Sequence, residues 1–225
     1  MFGAVALYFP QMLFGLAVTL AVAAGSLLLG LIIAMVGAPA SLYGPKVVQR
    51  LVDGYVGLIR GLPELLVIFL IFYGGTVALT KLFGHYVEVS GFMAGVVALS
   101  VVAGAYLVEI LRGALVAVPV GQWEAARALG LRPLPAFRRV ILPQMIIRAL
   151  PGLGNQWLVI LKDSALVSIV GLEELMRKSL IAAGATHQPL GFYLAAAALY
   201  IGVTAVSTVF ISHAEARLAP QRRER

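Results

Sequence analysis

The sequence predicts an all-α integral membrane protein of about five transmembrane helices, and three observations carry that prediction. First, 61% of the 225 residues are hydrophobic and only 12% are charged, against about 25% charged in a typical soluble domain. Second, the apolar residues fall in long runs. Met12–Val36 contains no charged residue at all, and a helix that crosses the hydrocarbon core needs about 20 apolar residues. Third, the basic residues fall mainly between alternate runs.

The apolar runs place spans at 12–36, 63–80, 91–111, 140–161 and 192–212. Twelve of the 17 Lys and Arg residues then lie on one side: Lys46, Arg50 and Arg60; Arg112, Arg127, Arg132, Arg138 and Arg139; Arg217, Arg222, Arg223 and Arg225. Lys81, Lys162, Arg177 and Lys178 lie on the other, and Arg148 falls within the fourth span. The positive-inside rule puts the richer side in the cytoplasm. The N-terminus is then expected outside and the C-terminus inside, which needs an odd number of spans. In a soluble protein the net charge of +7 would point to nucleic acid. Here its distribution follows the membrane, and no nucleic-acid partner is expected.

The first run has no basic segment before it, so it reads as a retained helix and not a cleaved signal peptide. Cys is absent, which excludes disulfides and thiolate metal sites. His85, His187 and His213 stand singly, and no metal site is expected. The whole chain, 1–225, reads as one transmembrane domain. Within 162–190 the apolar stretch Ala165–Leu172 is too short to span and suggests a re-entrant or surface helix beside a cavity. Gln221–Arg225 reads as a basic tail at the lipid surface. The Gly91-Phe-Met-Ala-Gly95 pattern is a close-packing signal between helices.

The cytoplasmic loop at about 119–139 is the most informative segment. Glu124 to Leu129 suits a short helix with small residues on one side. Gly130 permits the positive φ of a helix C-terminal turn, and Pro133 and Pro135 prevent simple continuation. Such a helix can dock into a groove of another protein, or it can be a solvated connector.

In the fourth span Arg148, Asn155 and Lys162 recur every seven residues, and Gln156 and Asp163 form the adjacent stripe. One side of an apolar helix is therefore polar. Charges at the bilayer centre cost at least ~2.5–3.5 kcal/mol each on insertion scales, so this side should face protein or water. The alternative for Lys162 and Asp163 is an interfacial position, where Lys can snorkel. Glu64 follows Pro63 at the start of the second span, a place favoured by helix geometry and dipole alike. It can be a helix-start residue or a carboxylate that attracts a cation. Tyr106, Glu109 and Arg112 step by three, and Glu109 and Arg112 are expected to pair.

The pattern Glu124-Ala125-Ala126, three residues, Gly130, nine residues, Val140-Ile-Leu142-Pro143 resembles the signature loop of ABC importer permeases, with Val140 where Ile is usual. Arg60-Gly-Leu-Pro-Glu64, Ala105-Tyr-Leu-Val-Glu109-Ile-Leu-Arg112-Gly113 and Asn155-Gln-Trp-Leu-Val-Ile-Leu-Lys162-Asp163-Ser164-Ala-Leu166 are similar to segments of the polar amino-acid permeases of histidine, arginine and opine uptake. The resemblance implies a type I ABC importer permease fold in a bacterial inner membrane. Glu124, Ala125, Ala126 and Gly130 are then expected in a coupling helix that inserts into an ATPase subunit.

The chain has no G-x-x-x-x-G-K-[ST] phosphate loop. ATP and Mg²⁺ would therefore be bound by that partner, and no cofactor is expected here. The resemblance further implies a second permease subunit, identical or homologous, and an extracytoplasmic solute-binding protein. Five spans with one polar face are too few to enclose a pore alone. Glu64, Asn155, Gln156, Lys162, Asp163 and Ser164 are the candidate substrate-binding residues. Related permeases for basic amino acids have an acidic residue at the place of Glu64, so a basic amino acid is expected. Neutral or acidic polar amino acids such as glutamine are the alternative. A membrane-embedded enzyme using Asp53 is a remote one, because Asp53 stands without the clustered carboxylates or histidines such chemistry uses.

Overall fold

The computed structural model describes residues 2–87 and 89–218. The basic tail from Gln221 and its arginines 222, 223 and 225 lie outside the described residues. The elements follow in order as α1 (Phe2–Tyr43), α2 (Lys46–Gly61), α3 (Glu64–Phe83), α4 (Gly91–Val116), α5 (Val120–Ala128), α6 (Pro133–Ala136), a π-turn (Phe137–Ile141), α7 (Leu142–Asp163), a 3₁₀ segment (Ser164–Val170), α8 (Leu175–Thr186) and α9 (Pro189–Leu218). The five expected spans correspond to α1, α3, α4, α7 and α9; all but α7, which is the same length and shifted by two residues, are longer than their apolar runs. Among the described residues four of them, α1, α3, α4 and α9, are long and apolar enough to cross a membrane on composition alone. α7 falls short because its polar residues lower its hydropathy. Its length of 22 residues still gives about 33 Å, enough for the hydrocarbon core.

The helix boundaries have local causes. Leu62 precedes Pro63 and is extended, with φ −100° and ψ 145°, as the proline ring requires. That break divides amphipathic α2 from apolar α3. Pro63 caps α3 and Glu64 is its first residue, one position later than the sequence reading of Pro63 within the first turn. Gly84, at φ +72°, ends α3, and its N–H bonds Thr80 O. Ser90 starts α4, its Oγ accepting from the Met93 N–H at 3.2 Å. The π-turn has its reason in Pro143, which has no N–H to give to the turn before it. The ladder widens there, with the Leu142 N–H reaching Phe137 O.

Helix directions follow from their contacts. Gly25 faces Val96, Gly30 faces Gly104, and Gly37 faces Val108, so α1 and α4 run the same way. Tyr8 meets Phe192 edge-on at 5.7 Å, while Thr19 and Tyr200 both reach Glu174, so α9 runs with α1. Gly152 faces Ile110 and Gly154 faces Ile211, while Trp157 donates to Ser207. α7 therefore runs against α4 and α9. The start of α1 and the end of α9 consequently lie at opposite ends of the bundle.

The core lies around α4, with most of its residues from Ala94 to Leu115 buried. Val56 and Tyr55 of α2 pack on it, and the Tyr55 hydroxyl donates to Val101 O at 2.6 Å. The Gly91–Gly95 signal is used within the chain. A Cβ on Gly95 would come within 2.5 Å of Val167, and Gly91 abuts the backbone of Leu172. The 162–190 segment is thus a 3₁₀ turn against α4 followed by α8, which packs between α1 and α9.

Candidate functional sites

At the end of the bundle that carries α5, the short helix begins four residues before the expected Glu124, at Val120, with Pro119 as its cap. Gly130 sits at φ +76°, as expected for its turn. The Gly130 N–H bonds Arg127 O at 2.9 Å and the Leu131 N–H bonds Ala126 O at 3.1 Å. That pair of bonds is a Schellman closure, which uses the last free carbonyls of the helix. A side chain with a Cβ is costly in this conformation.

α5 is fastened to the start of α7. Gln144 donates to Gln122 at 3.0 Å, and the Trp123 and Phe137 rings stack 6.4 Å apart. Ala126 is buried, whereas Glu124, Ala125 and Arg127 are exposed and Leu129 is 81% exposed. A hollow between Tyr43, Val116, Val120, Trp123, Glu124 and Arg127 lies beside the helix. The helix is therefore held to the start of α7 on one side and open on the other.

The polar residues of α7 divide between two sides. Arg148, Asn155 and Lys162 are exposed on the outer surface of this chain. Gln156 is only 6% exposed, and Ser164 is fully buried, its hydroxyl donating to Leu161 O at 2.8 Å. The adjacent stripe thus turns into the protein at Gln156, because α9 and α4 flank α7 there, and returns to half exposure at Asp163. Half-buried Glu64 stands near enough to Asp163 for the two charges to interact. Among the described residues no ion pair is made by Glu64, Asp163 or Lys162.

Glu109 and Arg112 pair as expected, at 2.7 Å. Arg112 also reaches Asp53 at 3.9 Å, and Arg60 reaches Glu109 at 3.9 Å while lying 5.3 Å over the Tyr106 ring. Asp53 is therefore not alone, as sequence reading had it. Its charge is met by an arginine and it fastens α2 to α4.

One polar centre was missed in the sequence. Glu174 is fully buried. Its Oε1 accepts from the Arg177 N–H at 2.8 Å. Its Oε2 accepts from the Met176 N–H at 2.9 Å and from the Thr19 and Tyr200 hydroxyls at 3.2 Å each. Its neighbour Glu173 is exposed. The available signal was Thr19, one of only two hydroxyl residues in the first apolar run, which needs a partner when buried.

Residues 26–220 match the family described as binding-protein-dependent transport system inner membrane component. The octopine transport system permease protein OccQ of Rhizobium radiobacter is 44% identical over 212 residues, covering 92% of this chain and 90% of that protein. The arginine ABC transporter permease protein ArtQ of Haemophilus influenzae is 43% identical over 199 residues, covering 88% and 89%. A crystal structure of an amino acid ABC transporter with histidines aligns at a TM-score of 0.85 and 34% identity, over 96% of this chain and 98% of that one. The projecting α5, the all-helical bundle and these likenesses agree: the chain belongs to the binding-protein-dependent transport system inner membrane component family and is a transmembrane permease subunit of an importer, not an enzyme.

Proposed function

We propose that this subunit carries amino acids with a cationic side chain across a bacterial inner membrane, driven by a separate ATPase. The observation that carries the reading is the uncovered polar face on α7. Arg148, Asn155 and Lys162 are exposed along a helix read as a span, and within a membrane charges are tolerated only against protein or water. A second permease subunit, identical or homologous, would close that face into a water-filled path. Glu64, Asp163 and Lys162 form two negative charges and one positive. An amino acid such as arginine carries the mirror set: two positive charges and one carboxylate. Asn155 offers hydrogen bonds beside them, while Gln156 and Ser164 support the site from inside the chain. The names of the octopine and arginine permeases among its relatives support the same substrate class.

Orientation follows from charge. The end that carries α5 also carries Arg127, Arg132, Arg138 and Arg139, so it is cytoplasmic and the N-terminus is outside. Glu124, Ala125, Ala126 and Gly130 then form the coupling surface for the ATPase, which binds ATP and Mg²⁺. A solute-binding protein docks at the opposite end.

The test is Glu64→Gln in the reconstituted importer, with uptake normalised to assembled complex. A charge-assisted hydrogen bond contributes roughly 1.5–3 kcal/mol, so arginine uptake at low concentration should fall about tenfold or more. Citrulline, which lacks the side-chain charge, should be little affected. Equal loss for both would leave Glu64 as a helix-start residue and remove the case for a cationic substrate.

A further inference from the structure

Glu174 plays no part in the path described above, yet it is the most completely buried carboxylate in the described chain. Charged groups within a membrane bundle are costly and need named partners. Here four donors from three elements converge on its two oxygens. The N–H groups of Met176 and Arg177 are free donors in the first turn of α8, and they lie on different oxygens. Thr19 adds α1 and Tyr200 adds α9. The Thr19 hydroxyl also accepts from the Leu175 N–H at 3.2 Å, which directs its own proton to Glu174. The backbone itself is part of the junction: a Cβ on Gly15 would lie 2.9 Å from Leu175 Cα. α8 therefore begins in direct contact with α1.

The junction connects to the candidate site. Tyr200 packs in the same apolar cluster as Ile160 and Leu161 of α7, and the Ser164 hydroxyl donates to Leu161 O at 2.8 Å. Ser164 directly follows Lys162 and Asp163 and begins the 3₁₀ segment.

We propose that Glu174 is a positioning residue for transport: one carboxylate holds α1, α8 and α9 together and, through Tyr200 packed with Ile160 and Leu161, fixes where the substrate-facing end of α7 sits. The proposal rests on the reading of Lys162 and Asp163 as substrate-facing. Because the two backbone donors approach different oxygens, the amide of Glu174→Gln must turn its NH₂ toward one of them. That variant keeps the shape and breaks the junction. Tyr200→Phe is milder, removing only the hydroxyl by which α9 reaches Glu174.

The experiment compares both variants with Asp163→Asn in the reconstituted importer. It reads arginine uptake, basal ATPase rate and amide exchange at Met176 and Arg177. Glu174→Gln should speed exchange at those amides roughly tenfold or more. In both junction variants the apparent KM for arginine should rise about threefold to tenfold, as for coupling through a packed network, with basal ATPase per assembled complex unchanged. Faster exchange with an unchanged KM would reduce Glu174 to a helix cap and overturn the proposal. If Glu174→Gln fails to assemble, Tyr200→Phe decides alone: an unchanged KM overturns the proposal. Asp163→Asn tests the underlying site separately. If it leaves KM unchanged while the junction variants raise it, the site reading fails and the positioning claim as stated falls with it. If Asp163→Asn raises KM and the junction variants do not, only the positioning claim falls.

Discussion

Two groups of polar residues lie along the helical bundle of this chain, and they are treated in opposite ways. At the junction of α1, α8 and α9, Glu174 is sealed from solvent with donors on both oxygens. Along α7, Arg148, Asn155 and Lys162 are exposed, and Glu64 and Asp163 beside them make no ion pair among the described residues. A buried polar group left unsatisfied costs about 1–3 kcal/mol, more if charged, so neither arrangement is free of constraint. The first is complete within one chain and acts on its architecture. The second is incomplete, and its completion by another subunit, water and a cargo is the function proposed for it.

The comparison predicts that overpacking the junction removes the folded complex, whereas changes on the stripe remove transport alone. The largest effect is expected at Gly15. Its absent Cβ would press on the α8 backbone and not on a movable side chain. Overpacking typically costs 1–3 kcal/mol, and Gly15→Leu adds three further carbons to that contact. No assembled complex should be recovered by size-exclusion chromatography. Full recovery with normal uptake would mean that α1 and α8 are not in contact.

Next comes Gly130→Val, which places a β-branched residue at φ +76° at a cost of roughly 1–2 kcal/mol. The variant should insert and keep its bundle, yet lose the ATPase on co-purification or hydrolyse ATP without uptake. Normal coupling would detach α5 from the role assigned to it.

Asn155→Leu should act on function only. As an exposed change it should shift stability by no more than about 0.5 kcal/mol, while arginine uptake per complex falls several-fold. Parallel loss of stability and uptake would place Asn155 with the junction and not with the path.

The smallest effect belongs to Glu173, next to the buried Glu174 but paired in the open with Lys178. Lys178 holds the Glu173 carboxyl below its ordinary range. The pair's contribution is therefore present above the ordinary carboxylate pKa and is lost as pH falls through the lowered folded value. Exposed pairs contribute little, so Glu173→Gln should leave the melting temperature at neutral pH unchanged within error. A clear drop would show that the acidic pair acts as one unit.

The sequence showed what depends on runs and on local rules. The five spans, the Gly130 turn, the Glu109–Arg112 pair and the α7 stripe are all periodic or nearest-neighbour features, and each can be read from spacing. It did not show what depends on which helices meet. Thr19, Glu174 and Tyr200 are far apart in the chain and join only because α8 enters between α1 and α9. The same reason hid Asp53 and Arg60 from their partners on α4. The division of α7, with Asn155 outside and Gln156 inside, also needed the flanking helices. Boundaries erred short because an apolar run reports the hydrocarbon core, while α1 and α9 continue beyond it.

The central claim is that the exposed stripe of α7 lines a water-filled, cargo-occupied path in the assembled importer. The chain has no native Cys, so a single Asn155→Cys substitution gives a clean probe. A membrane-impermeant thiol reagent should label that position in the reconstituted complex, and saturating arginine should slow the labelling. Phe14→Cys on the exposed surface of α1 serves as the lipid-facing control and should resist labelling with or without arginine. Failure to label Asn155→Cys in an active complex, or labelling that arginine does not change, would contradict the account.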